Sequence, residues 1–232
     1  MSDRPLVAVV VFPGSNDDRD AAWALGSVGA EPTFVWHEET SLPRGTGAVV
    51  LPGGFSYGDY LRTGAIASVA PVMDPVRRFA AAGGPVLGIC NGFQVLCEAR
   101  MLPGVLRPNR QLEFVCRDAG LRVEAVDSVF LHRCAIGQEL VIPVKHGEGA
   151  WYADEGTFVQ LAARGQIVLR YTDDVNGALG NVAGVVNETG NVMGLMPHPE
   201  HAVDPLLGSA DGGLLLAALV DAAAAHRALV PA

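Results

Sequence analysis

A doubly wound α/β domain is the fold class this sequence predicts, on three observations. The run at residues 6–12 (LVAVVVF) is continuously apolar and β-branched, the pattern of a strand buried on both faces of a parallel sheet. Helical segments alternate with such runs through the first half, and parallel strands need crossover helices of that kind. The chain has 232 residues, 50% hydrophobic and only 18% charged, enough to bury a large core and too apolar to stay disordered.

The elements follow in order. After the first strand, Ser15 and Asn16 are placed to cap a helix running to about Gly29. Residues 32–36 and 48–51 read as the next strands. A helix over 71–82 begins with Pro71 and ends at Gly83-Gly84. Residues 85–89 (PVLGI) form another buried strand, and 91–100 a short helix. The second half reads richer in strands, at 112–117, 121–125, 140–144, 182–187 and 191–196. The last two flank Glu188-Thr189-Gly190, a hairpin loop. Residues 212–229 read as a closing helix. No linker or repeat divides the chain, so one domain over 1–232 is expected.

Composition narrows the function classes. A net charge of −9 with no basic run repels a phosphate backbone, so nucleic acid is not an expected partner. The longest apolar stretch, 214–225, contains Asp221 and is shorter than a bilayer span requires. The N-terminus leads directly into a strand, without the pattern of a secretory signal. Cys90, Cys97, Cys116 and Cys134 form no CxxC pair and read as reduced thiols. A cytoplasmic protein that spans no membrane is the expectation.

The chemistry concentrates at two strand ends. Gly88-Ile89-Cys90-Asn91-Gly92 joins a buried strand directly to a helix, the layout of a nucleophile elbow. Small flanking residues suit such a tight turn. The helix N-terminus favours a thiolate, and the Asn91 N–H is placed to meet an oxyanion. A base is then needed, and His198 in Met196-Pro197-His198-Pro199-Glu200 follows an apolar strand. In extended chain, residues two apart share a side, so Glu200 can orient the His198 ring while its other nitrogen faces Cys90. Gly53-Gly54 after the strand at 48–51 offers a second oxyanion donor. Asp17, Asp18 and Asp20 read as solvated first-turn residues of a helix. His198, Glu200, His201 and His146 raise the question of a metal. Pro199 forbids the regular helix on which i, i+4 ligands share a face, and no metal is expected.

Pro-Gly-Gly at 52–54, Gly-Ile-Cys-Asn-Gly-Phe-Gln at 88–94 and Pro-His-Pro-Glu at 197–200 together resemble the class I glutamine amidotransferase family. Longer segments, above all Gly-Gly-Phe-Ser-Tyr-Gly-Asp-Tyr-Leu-Arg at 53–62, resemble its members that serve purine biosynthesis. The resemblance covers about residues 9–212. It implies a three-layer α/β/α domain with a mostly parallel, flavodoxin-like sheet. Implied too is glutamine hydrolysis through a thioester, with Cys90 as nucleophile, His198 as acid and base, Glu200 as its support, and the N–H groups of Gly54 and Asn91 as oxyanion hole. Gly53, Phe55, Gln94 and the segment at 146–149, His146 included, match positions near bound glutamine. The ammonia would pass to a large ATP-dependent synthase subunit, which makes an amidine from formylglycinamide ribonucleotide, with a small third subunit completing the complex. ATP and Mg would be used there, and no cofactor by this chain. Asp17 and His201, neither at a triad position, depart from the family pattern, where cysteine and arginine are usual; His201 could make the contact with the synthase pH-sensitive. Competing readings are an amidotransferase for another acceptor, a stand-alone cysteine hydrolase, and a non-catalytic regulatory subunit.

Overall fold

The computed structural model describes residues 4–229, and the lead-in at 1–3 lies outside them. Five strands form a parallel half-sheet: β1 (Leu6–Val11), β2 (Glu31–Trp36), β3 (Thr46–Leu51), β4 (Val86–Ile89) and β11 (Val192–Leu195). Their order is β2-β1-β3-β4-β11, with every neighbouring pair parallel. That is the flavodoxin-like order, and ligands in such sheets gather at the carboxyl ends of strands, where the order reverses. β1 connects to one side and β3 to the other, so right-handed crossovers place helices on both faces.

The sheet continues beyond β11 with a reversal of direction. β10 (Val182–Val186), β9 (Ile167–Tyr171), β6 (Val115–Val123) and β7 (Glu139–His146) follow in that order, and each pairs antiparallel with its neighbour. Among the described residues nine strands therefore share one sheet, with β5 (Val105–Arg107) and β8 (Ala150–Tyr152) forming a separate two-stranded ribbon.

Several sequence expectations change here. The strands expected at 112–117 and 121–125 are one nine-residue strand, β6, because Asp118 to Gly120 keep their ladder with β7. Leu112 lies outside it at a φ of 57°. β9 and the helix α4 (Glu155–Ala163) were not anticipated; α4 is capped by the Asp154 side chain, which accepts from the Thr157 N–H. The first helix, α1 (Asp18–Ser27), starts after Asp17, and neither Ser15 nor Asn16 caps it. Ser15 Oγ instead accepts the Phe12 N–H at 3.0 Å, tightening the turn after β1.

The core lines both faces of the parallel half, where β1, β3 and β4 are almost wholly buried. Of the remaining helices, α2 (Met73–Ala81) leads into β4, α3 (Asn91–Glu98) leaves it, and α5 (Gly212–Leu229) closes the chain. Gly194 of β11 seats α3, since a Cβ there would lie 2.0 Å from a ring carbon of Phe93. By length and composition α5 is apolar enough to cross a membrane, with a mean hydropathy of 1.3, unlike the shorter stretch expected at 214–225. It instead packs on β3 and α1, burying Leu215, Leu216 and Leu219, while Asp221 pairs with Arg133 and His132.

Candidate active site

Cys90 sits between β4 and α3 at a φ of 49° and ψ of −103°. A positive φ is costly for a residue with a side chain, and such strain recurs where a group must be held out of regular structure. Sterics enforce the turn. A Cβ at Gly92 would lie 1.9 Å from the Leu51 carbonyl oxygen, and one at Gly88 2.6 Å from a Leu96 methyl. The thiol is 5% exposed, and its Sγ donates weakly to the Lys145 carbonyl at 3.7 Å. Asn91 is the first residue of α3, so its N–H has no intrahelical acceptor.

His198 follows β11, and its N–H donates to the Pro143 carbonyl at 2.8 Å. Its Nδ1 lies 2.6 Å from Glu200 Oε1, with both side chains essentially inaccessible. The expected pairing is therefore present, but not through extended chain. Pro199–His201 form a 3-10 turn, closed by the His201 N–H on the His198 carbonyl at 3.1 Å. Proline's fixed φ fits the first position of a helical turn. Burial disfavours a charged His198, but the charges of Glu200 and Cys90 outweigh it and push the imidazole up to about 10. Among the described residues, His198 Nε2 and Glu200 Oε2 are buried without a hydrogen-bond partner.

Cys90 and His198 line one cleft of about 410 Å³, with Gly54, Phe55, Gln94, Lys145, His146 and Glu148 among its walls. That volume suits a small ligand. Gly54 has a φ of 146°, and a Cβ would lie 2.7 Å from both the Asn16 nitrogen and the Gly14 oxygen, so only glycine fits. Phe55 is half exposed at the rim. Gln94 is in the wall, but its amide is committed: Oε1 accepts from Asn91 Nδ2 at 2.9 Å, and Nε2 donates to the Glu148 carbonyl at 2.6 Å. The Asn91 Oδ1 accepts the Ser56 N–H at 3.1 Å, so one chain of bonds ties three wall segments together. His146 is buried with Nδ1 on Asn109 Oδ1 at 3.0 Å; burial and the His198 charge press its imidazole down to about 4, leaving it neutral near pH 7. Gly53 does not line the cleft. It lies behind it, where a Cβ would be 2.5 Å from Asp17 Oδ2 and 2.7 Å from His198 Cε1.

The acidic run after β1 divides differently from expectation. Asp20 is exposed, but Asp17 is 4% exposed and faces the site, because Lys145, His201 and His198 surround its carboxylate. Sequence reasoning passed over Lys145 and Asp59, while Glu148 falls in the segment at 146–149 that the resemblance sets near bound glutamine. Asp59 has one oxygen buried without a partner, and burial together with the Glu148 charge pushes its carboxyl up to about 6. The signal for Lys145 was available, since it is the only lysine in the sequence and adjoins His146. Among the described residues, Asp17, His198, Glu200 and His201 each bring a possible ligand atom within 4.8 Å of the others. Those atoms already pair with one another and with Lys145. The remaining cysteines are free, with the Cys97 thiol raised by burial.

A thiol at a strained turn, an imidazole fixed by a buried carboxylate, and glycine-rich backbone beside both make an arrangement suited to acyl transfer. Known proteins agree with that reading. Residues 4–211 match the model of the CobB/CobQ-like glutamine amidotransferase domain. The chain is 57% identical to phosphoribosylformylglycinamidine synthase subunit PurQ of Rubrobacter xylanophilus, over 93% of this chain and 98% of that one. It is 53% identical to the subunit of the same name in Corynebacterium glutamicum, over 90% and 94%. Among solved structures, PurLQS from Thermotoga maritima contains a chain superposing with a TM-score of 0.87 at 42% identity, covering 94% of this chain and 98% of that one. A glutamine amidotransferase of the same organism shares the fold alone, with a TM-score of 0.62 at 17% identity over 95% and 98%. The chain belongs to the CobB/CobQ-like glutamine amidotransferase family, on its PurQ branch.

Proposed function

We propose that this chain hydrolyses glutamine to glutamate and ammonia and delivers the ammonia to a phosphoribosylformylglycinamidine synthase. The carrying observation is the His198–Glu200 pair at 2.6 Å in one cleft with the Cys90 elbow. Cys90 thiolate attacks the carboxamide carbon of glutamine. The N–H groups of Gly54 and Asn91 hold the oxyanion, and His198, as imidazolium, protonates the nitrogen that leaves as ammonia. A glutamyl thioester remains. His198, now neutral, takes a proton from water as its oxygen attacks, and the collapse expels the Cys90 thiolate, restoring the thiolate–imidazolium pair as glutamate is released. Glu200 keeps the imidazole in one orientation throughout. Phe55 and His146 border the bound glutamine; Gln94 shapes the wall through Asn91 and Glu148.

The partners are a large synthase subunit, which consumes ATP with Mg, and a small third subunit; the likeness to a chain of the PurLQS assembly supports a complex of this kind. The chain itself needs no cofactor. Its setting is the cytoplasm, and residues 1–232 act as one amidotransferase domain. Glutamate release from wild type and Cys90→Ala, each alone and with the synthase and its substrates, tests the proposal. The expected result is activity that requires Cys90 and rises with the synthase. Absence of glutamate in every setting would overturn it in favour of a regulatory subunit.

A further inference from the structure

Asp17 stands at the start of α1, where an aspartate ordinarily accepts the helix's free N–H groups, yet it makes no such cap. Its carboxylate is turned into the site instead. Oδ1 accepts from Lys145 Nζ at 2.5 Å and lies 3.3 Å from His201 Nε2; Oδ2 lies 3.7 Å from His198 Nδ1. Gly53 permits the approach, since a Cβ there would meet both the Asp17 carboxylate and the His198 ring. The Asp17 N–H donates to the Gly53 carbonyl at 3.2 Å, which fixes the two segments together. A carboxylate this buried requires compensation, and Lys145, whose side chain is one-third exposed, supplies a full charge.

The groups that face this seam come from four elements. Glu200 and His201 lie on the Pro199–His201 turn, Cys90 on the elbow, Lys145 and His146 on β7, and Asp20 on α1 at 3.8 Å from His201 Nε2. Only Glu200 and Asp17 present an acidic oxygen within 4 Å of His198 Nδ1 among the described residues.

We propose that Asp17 is a second carboxylate serving His198, and that Lys145 sets the strength of its effect. The site then extends from three residues to five: Cys90, His198, Glu200, Asp17 and Lys145. The inference rests on the amidotransferase reading above. Asp17 borders the cleft and acts through His198, 3.7 Å away, so it is a positioning residue. Its charge stabilises the imidazolium form of His198, which keeps that form populated but makes it the weaker acid toward departing ammonia and the stronger base toward water. Lys145 opposes that bias, so the pair fixes how much glutamyl thioester stands on the enzyme during turnover.

Opposite shifts on removing the two charges distinguish this role from a structural one. The test follows the His198 ring by NMR in histidine-labelled protein, for wild type, Asp17→Asn and Lys145→Gln, alongside the pH profile of glutamate release with the synthase. Asp17→Asn is expected to lower the His198 midpoint by about one pH unit and to bring the alkaline limb of activity down with it. Lys145→Gln is expected to raise both. Unchanged midpoints in both variants, with activity reduced equally at every pH, would overturn the proposal. Should Asp17→Asn fail to fold, Lys145→Gln decides alone: an upward shift supports the proposal and no shift overturns it. Failure of the amidotransferase reading would show separately, as a wild type that releases no glutamate while the NMR midpoints still move.

Discussion

The two strand ends that meet in the cleft are built by different physics. At the end of β4, backbone sterics place Cys90: a positive φ, two glycines without room for a methyl, and a helix starting at once. At the end of β11, charge places His198: a buried carboxylate at 2.6 Å, a second at 3.7 Å, and Lys145 behind it. A nucleophile needs a fixed position, which hard contacts provide. An acid–base group needs a defined proton affinity, which only neighbouring charges provide. The elbow should therefore respond to added volume, and the base to altered charge.

The largest effect expected of a near-isosteric change falls on the charge-built side. Glu200→Gln keeps the shape of the carboxyl but removes the charge that holds the His198 ring and its proton, so the rate of glutamate release should fall about a thousandfold, or about 4 kcal/mol. The pH signature is directional. The imidazole sits at about 10 in the folded protein, above its ordinary value of about 6.5. Its protonated form thus contributes stability that is complete below about 6.5 and is lost as pH rises towards 10. In Glu200→Gln that alkaline loss should be smaller and should end at lower pH, read from melting temperature against pH. An alkaline limb that stays in place would break the assignment of charge to this side.

Added volume at the elbow should act through stability instead. Gly92→Ala puts a methyl 1.9 Å from the Leu51 oxygen, which neither β3 nor α3 can vacate without shifting. A loss of about 3 kcal/mol is expected, read by denaturant unfolding, with activity lost in proportion and the pH profile unmoved. A shifted profile with intact stability would show that the two ends are not separable in this way.

That contrast also explains what the sequence could reveal. The elbow was legible because its constraints are local: a buried run, Gly-x-Cys-x-Gly, then a helix, all within residues 86–98. The pairing of His198 with Glu200 was legible as a pair, although the backbone between them is a 3-10 turn and not a strand. The role of Asp17 was not legible: the resemblance marks it as a departure from the family pattern, but its partners lie 128 and 184 residues away. The parallel half followed from its apolar runs. β6 was split in two because Asp118 and Gly120 resemble a turn, and pairing with β7 overrides that local preference. β9, at 167–171, is short, and only its neighbours β10 and β6 make it a strand.

The smallest effect should come from Cys97, two turns along the helix that begins at the elbow. It shares the helix with Cys90 but none of its setting: Sγ is 3.8 Å from the Pro103 carbonyl, and burial holds the thiol well above its ordinary range. A thiol kept protonated is a poor nucleophile, so alkylation near neutral pH should reach Cys97 much more slowly than Cys90. Cys97→Ala removes one buried sulfur without disturbing the turn, at a cost of about 1 kcal/mol and less than a twofold change in glutamate release. Mass spectrometry of the alkylated protein and a denaturation curve measure both. If Cys97 reacted as fast as Cys90, the thiol chemistry would belong to the helix as a whole and not to the strained residue at its start.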